Sequence, residues 1–174
     1  MRVVVTNVNY RGSLNETINL HEMKLCFPTA VARLCFHPFQ LIIKDEKCTL
    51  LFFTSGNYRV MGFKTDDEWE ASLVVYKYTK SINKNHVPIL TLQSMTVKSK
   101  FDKPVDLNKL STLIKSQLEL QLLPVLTITH FKPITVNVFS TGSIIICGVK
   151  DIEKPNTILN EIENLLNVCS FDHT

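Results

Sequence analysis

The chain has 174 residues, 45% of them hydrophobic and 20% charged, with 5 glycines and 7 prolines. That composition suits one domain or two joined halves, and it excludes a collagen, a disordered tail and a coiled coil. The 19 Lys+Arg and 16 Asp+Glu leave a net charge of +3, divided as 11 basic and 8 acidic residues over 1–87 and 8 of each over 88–174. Such a chain is not built to condense on polyanions by charge alone, so any binding to nucleic acid must draw on shape and apolar contact.

No apolar run approaches the roughly 20 residues of a membrane span. The opening Met-Arg-Val-Val-Val-Thr-Asn reads as no signal peptide. Cys26, Cys35, Cys48, Cys147 and Cys169 form no C-x-x-C pair, and the five histidines complete no zinc pattern. The expectation is therefore five free thiols in a reducing compartment, with no metal or other cofactor. The sequon at Asn15-Glu16-Thr17 is read as chance in a chain without an export signal.

In chain order, an opening strand is expected at about 2–10, followed by a helical stretch that Pro28 interrupts. Short strands follow at about 39–44, 48–54 and 57–63. Thr65-Asp66-Asp67-Glu68 reads as a capping box opening a helix. The stretch around Ser81–Pro88 joins two halves. A second opening strand spans about 89–98, and Leu107, Leu110, Ile114 and Leu118 keep helical spacing. Strands at about 125–131, 134–140 and 143–149 echo the first set. Ile158, Ile162, Leu165, Leu166 and Cys169 form the stripe of a closing helix.

This order is an internal repeat. Leu50–Lys64 lies over Val136–Lys150 at an offset of 86, with Phe53/Phe139, Gly56/Gly142, Gly62/Gly148 and Lys64/Lys150 identical. Four of the five glycines fall on these two pairs, which predicts turns of matching positive φ. Upstream the offset is 87: Leu14, Ile18, Leu20 and Met23 meet Phe101, Val105, Leu107 and Leu110, so one residue is lost between Leu123 and Phe139. The expected organisation is repeat 1 at 1–87 and repeat 2 at 88–174, intimately joined.

Alternate strand residues face opposite sides. Tyr58, Val60, Val136, Val138, Ile144 and Ile146 take one face, yet Leu51, Phe53, Met61, Phe139, Ile145 and Cys147 remain on the other. Two helices per repeat can cover one face only, and an apolar face left bare marks a binding surface. The ordinary reading of a strand phenylalanine is a core residue. The repeat-matched placement and the scarcity of helices favour the surface reading.

The doubled Phe-[Ser/Thr]-[Ser/Thr]-Gly-x5-Gly-x-Lys element, with its matching opening strands, resembles the core domain of the TATA-box-binding protein family. Phe139-Ser-Thr-Gly-Ser-Ile and Val5-Thr-Asn-Val8 resemble its divergent TBP-like members most. The resemblance runs from about Val3 to Val168. It implies an α+β saddle: a curved antiparallel sheet, concave face bare, helices on the convex face. It also implies a nuclear transcription initiation factor, or one at the site of viral transcription if a virus encodes it. Such a factor binds the minor groove of A·T-rich promoters, bends DNA with aromatic wedges and recruits general transcription factors and RNA polymerase.

By that resemblance the wedges are Phe36 with Phe53 and Leu123 with Phe139, Pro124 following Leu123. The central polar pair is Asn7 and Ser94. Asn9, Thr96, Leu51, Asn137, Arg59, Ile145, Met61 and Cys147 complete the concave surface, and Lys64 and Lys150 contact phosphates. Asn57 and Ser143 stand where lysines are usual, and Ile42 at another usually basic position. Glu119 and Gln121 match positions that meet a TFIIB-like factor. The helix beginning Asp66-Asp67-Glu68 replaces the basic surface for a TFIIA-like one. Arg59 has two readings, an arginine entering a narrow minor groove and an ordinary strand arginine with its head in solvent. The cluster Lys98, Lys100 and Lys103 likewise reads as a phosphate contact or, more ordinarily, as a solvated surface run. Self-association through the concave face in the absence of DNA is a further expectation.

The reading from another class is a protein-binding saddle with weak or lost TATA binding, acting as scaffold or competitor. Leu123, Ser94, Asn137 and the missing lysines motivate it. An enzyme is not expected: the sequence holds no glycine-rich phosphate loop, metal spacing or nucleophile elbow.

Overall fold

Period-two burial is the physical signature that organises this chain. In the computed structural model, every residue is described except 34–38, 83–86, 115–117, 120–124, 152 and 171–174, with backbone alone for Arg33, Leu118 and Glu119. The elements are β1 (Val4–Ser13), α1 (Leu20–Cys26), β2 (Val31–Arg33), β3 (Gln40–Lys44), β4 (Thr49–Phe53), β5 (Asn57–Phe63), α2 (Glu68–Lys80), β6 (Thr91–Lys100), α3 (Leu107–Ile114), β7 (Leu118–Glu119), β8 (Val125–Ile128), β9 (Thr135–Phe139), β10 (Ser143–Val149) and α4 (Lys154–Cys169). Helices and an antiparallel sheet make the class α+β.

The residues gather into two compact units, a first of Asn7–Gln93 and a second of Met1–Thr6 with Ser94–Thr174. In the first unit the strand order is β2-β3-β4-β5-β1, with all neighbours antiparallel. One face carries Leu41, Ile43, Leu50, Phe52, Tyr58 and Val60, none more than 3% exposed. Helix α1 meets β3 and α2 meets β5. Each such side chain contributes about 1.5–3 kcal/mol by leaving water. In the second unit β6-β10-β9-β8-β7 are likewise antiparallel. There Val97, Leu126, Val136, Val138, Ile144 and Ile146 are fully buried. Helix α4 meets β10, and α3 meets β8 and α4.

The repeat extends to individual backbone hydrogen bonds. The Leu14 N–H donates to the Gly56 carbonyl at 3.0 Å, and the Phe101 N–H to that of Gly142 at 2.9 Å. The Ile18 N–H donates to the Thr54 carbonyl at 3.0 Å, and the Val105 N–H to that of Ser140 at 2.8 Å. Gly56 and Gly142 both adopt φ +80, and Gly62 and Gly148 φ +88 and +82, the left-handed backbone expected of the shared glycines.

Three local expectations are corrected. Both opening strands run later than expected, to Ser13 and Lys100, because a polar alternation (Arg11, Ser13; Lys98, Lys100) continues the ladder where apolar periodicity has stopped. The cap of α2 is Asp67, whose carboxylate accepts the Glu70 N–H at 3.0 Å; Thr65 lies outside the helix. Helix α3 is described over Leu107–Ile114, and Leu118, which keeps helical spacing, belongs to strand β7.

Asp45, in the β3–β4 turn, ties that hairpin to α2. It accepts the Tyr78 hydroxyl at 2.8 Å, the Lys77 ammonium at 3.1 Å and the Lys47 N–H at 3.1 Å. Burial alone would raise its pKa; the Lys47 amide, Tyr78 and Lys77 outweigh burial and hold it below the ordinary value. A carboxyl with a depressed folded pKa adds stability above its unfolded pKa and loses it as pH falls through the folded one. Asp45→Asn should cost about 1–3 kcal/mol at pH 7. Chemical denaturation should also show a shallower loss of stability for this variant than for wild type below about pH 4.

Candidate functional site

The face of each unit turned away from its helices carries the candidate residues. In the first unit, register sets Ser13 opposite Asn57, Arg11 opposite Arg59 and Asn9 opposite Met61 on β1 and β5. Across β5 and β4, Arg59 faces Leu51, and across β4 and β3, Phe53 faces Gln40 and Leu51 faces Ile42. These side chains are half-buried or exposed, Met61 at 40%, while their strand neighbours Phe52, Tyr58 and Val60 are sealed. Apolar Leu51, Phe53 and Met61 therefore lie on the side opposite the core, as strand alternation requires.

The second unit repeats the arrangement. Lys100 faces Ser143, Lys98 faces Ile145 and Thr96 faces Cys147. Asn137 faces Ile145 and Phe139 faces Val125. The Asn137 carboxamide accepts the Thr127 hydroxyl at 2.9 Å, which fixes its orientation on this face. Ser94, Thr96, Phe139, Ile145 and Cys147 are all half-buried here.

Lys64 and Lys150 follow directly on β5 and β10, both exposed. Asn7 is half-buried, and its carboxamide oxygen is enclosed without a hydrogen-bond partner. A polar atom so placed is costly unless a ligand or water satisfies it. Phe36, Gln121, Leu123 and Pro124 lie outside the described residues, and Glu119 is described in backbone only, within β7.

Each unit also has a groove beside its phenylalanine. The first, about 840 Å³, is lined by Phe39, Phe53, Arg11, Arg59, Asn57 and Ser13 among others. The second, about 580 Å³, includes Phe139, Ile145, Lys98, Lys100, Ser143 and Arg2. All ten residues lining the second have their repeat counterpart in the lining of the first, so the two are one design made twice. Among the described residues neither lining contains Asp or Glu, so both grooves are electropositive.

Two participants escaped the sequence reading. Phe39 follows a proline just before β3 and shares the first groove with Phe53. Arg11 lies past the expected end of β1; its signal was Lys98, a second cation at the repeat offset of 87. Buried Cys48 has its thiol pushed up to about 12, first by burial and then by Asp45, so it is no nucleophile at neutral pH.

Comparison with known proteins agrees with this geometry. Residues 89–169 match the family model described as "Transcription factor TFIID (or TATA-binding protein, TBP)". The TATA-box-binding protein of Methanococcus vannielii is 26% identical over 146 residues, covering 80% of this chain and 75% of that protein. That of Methanococcus maripaludis is 27% identical over 142 residues, covering 78% and 72%. The solved structure of Methanococcus jannaschii TBP superposes with a TM-score of 0.85 at 21% identity, over 97% of this chain and 99% of that one, which establishes the shared fold. Repeat, fold and relatives point one way: the chain shares the fold of the TATA-box-binding protein, and its residues 89–169 match that family's model.

Proposed function

We propose that this protein is a transcription initiation factor that engages the minor groove of A·T-rich promoter DNA through the helix-free face of each unit. Its relatives carry the name TATA-box-binding protein, which supports the general role. The observation that carries the finer reading is the pair Phe53 and Phe139. Each ends the fourth or ninth strand, stands on the helix-free side, and is followed by the same glycine turn.

The mechanism follows from that placement. A phenylalanine already partly exposed can enter a base step without leaving a core. Unstacking costs a few kcal/mol per step, and burial of ring surface against the opened groove floor offsets it. Leu51, Met61, Ile145 and Val125 supply apolar floor contacts. Asn7, Asn9, Ser94 and Thr96 supply the hydrogen-bonding groups that distinguish A·T from G·C, the main information the minor groove offers. Recruitment of TFIIB-like factors through Glu119 and Gln121 belongs to the same reading, whereas the acidic first turn of α2, in place of a basic surface for a TFIIA-like factor, calls for a diverged partner there.

Fluorescence-resolved bending of end-labelled duplexes tests it. The expected result is a bend on A·T-rich sites that exceeds that on G·C-rich ones. No bend and no preference, with a stoichiometric protein partner instead protecting Phe53, would replace this reading with that of a protein-binding scaffold.

A further inference from the structure

We propose that each unit holds a seat for one backbone phosphodiester of the DNA beside its phenylalanine, made by Arg11 with Arg59 in the first unit and by Lys98 with Lys100 in the second. The inference rests on the minor-groove reading and adds to it residues for which Lys64 and Lys150 are not needed.

The first observation is Arg11 directly opposite Arg59 across β1 and β5, both exposed and on the same face. Like charges in this cross-strand position destabilise a sheet. Among the described residues no carboxylate lines their groove, and no described salt bridge includes either guanidinium. An anion between them would turn repulsion into two charge-assisted contacts, and two planar forks suit phosphate oxygens. The adjacent same-face pair, Ser13 opposite Asn57, offers neutral donors beside them.

The second observation is independent of the first. The matching groove of the second unit gathers Lys98 and Lys100, with Arg2, around Phe139, again with no acidic residue. The Lys100 ammonium is already held by the Thr141 carbonyl in the turn after Phe139. Two grooves that share ten repeat-related positions have thus kept cations on the opening strand while the individual residues differ. A phosphodiester adjoining a wedged base step is the anion a minor-groove binder meets at that place, since phosphates flank every step.

The test compares wild type with Arg11→Gln/Arg59→Gln and with Lys98→Gln/Lys100→Gln. Lys80→Gln, on α2 away from these faces, reports the effect of net charge alone. Binding to an A·T-rich duplex is measured against salt. Each double variant should lower the slope of log K against log salt by about 1–2, and weaken binding uniformly across sequences. Wild type should lose affinity for duplexes in which a single methylphosphonate neutralises the phosphate beside the kink, and the double variants should be indifferent to it. Free of DNA, the single variant Arg11→Thr should melt about 1–3 °C higher, as relieved repulsion predicts, which shows that it folds.

Variants that keep the wild-type slope and methylphosphonate sensitivity, while wild type still bends DNA, overturn the seats and leave the minor-groove reading intact. Variants that lose affinity for an acidic peptide but not for duplex overturn the seats in favour of a protein ligand. A wild-type protein that binds no duplex overturns both.

Discussion

Replacing Phe139 with alanine should abolish DNA bending and weaken binding to an A·T-rich duplex by roughly 10–100-fold, with Phe53→Ala close behind. The size follows from area: a phenylalanine ring withdrawn from water is worth about 1.5–3 kcal/mol, and about 1.4 kcal/mol is tenfold in affinity. The same substitutions should leave the free protein nearly as stable as before, because both rings are only half-buried and stand opposite the core. Phe52 supplies the internal contrast. It is fully buried, with its ring 5.9 Å from that of Tyr58, and Phe52→Ala should cost about 3–5 kcal/mol. Adjacent phenylalanines thus separate function from folding by strand alternation alone. Thermal melts together with bending measurements check both halves. Phe53→Ala or Phe139→Ala proteins that bend DNA as wild type does would remove the wedge mechanism.

That contrast was legible before the structure, because period-two alternation leaves its mark in residues 50–53 and 136–139 whatever the rest of the chain does. The glycine turns were legible for a related reason: a positive φ selects one residue type, and the selection appears twice at the same spacing. Arg11 was not. Its strand continues through Arg-Gly-Ser, where the helix-free face is solvated and apolar periodicity gives no cue, and a polar strand end resembles a loop. Leu118 misled in the opposite way, since one apolar residue four places after Ile114 fits a helix and a short strand equally. The α2 cap misled because Thr65 and Asp67 are both good cap residues, and only backbone geometry chooses between them. Phe36 and Leu123 rest on resemblance alone, and both lie outside the described residues.

The glycines themselves supply the second large effect, and three of their four sites separate two costs that usually travel together. Gly62 has φ +88 with open space where a Cβ would stand, so Gly62→Ala should cost only the left-handed backbone, about 1–2 kcal/mol. Gly56 has φ +80, and an added Cβ would lie 1.8 Å from the Glu16 carbonyl oxygen, a backbone atom that no rotamer change can move aside. Gly142 meets the Phe101 and Lys103 carbonyl oxygens at 2.4 and 2.6 Å. Both turns should therefore lose more than about 3 kcal/mol on substitution by alanine, at the severe end for single changes. At about 2–4 °C per kcal/mol for a chain of this size, the melting temperatures should fall in the order Gly62→Ala above Gly142→Ala and Gly56→Ala. The loss reaches the site as well. The Gly56 and Gly142 N–H groups donate to the carbonyls of Phe53 and Phe139, each at 2.9 Å, so a displaced turn carries its phenylalanine with it. Gly142→Ala protein at a temperature where it remains folded should bend DNA less than Gly62→Ala protein does. Equal melting temperatures for the Gly56 and Gly62 variants would show that conformation alone, not the close approach to the Glu16 carbonyl, makes the turn require glycine.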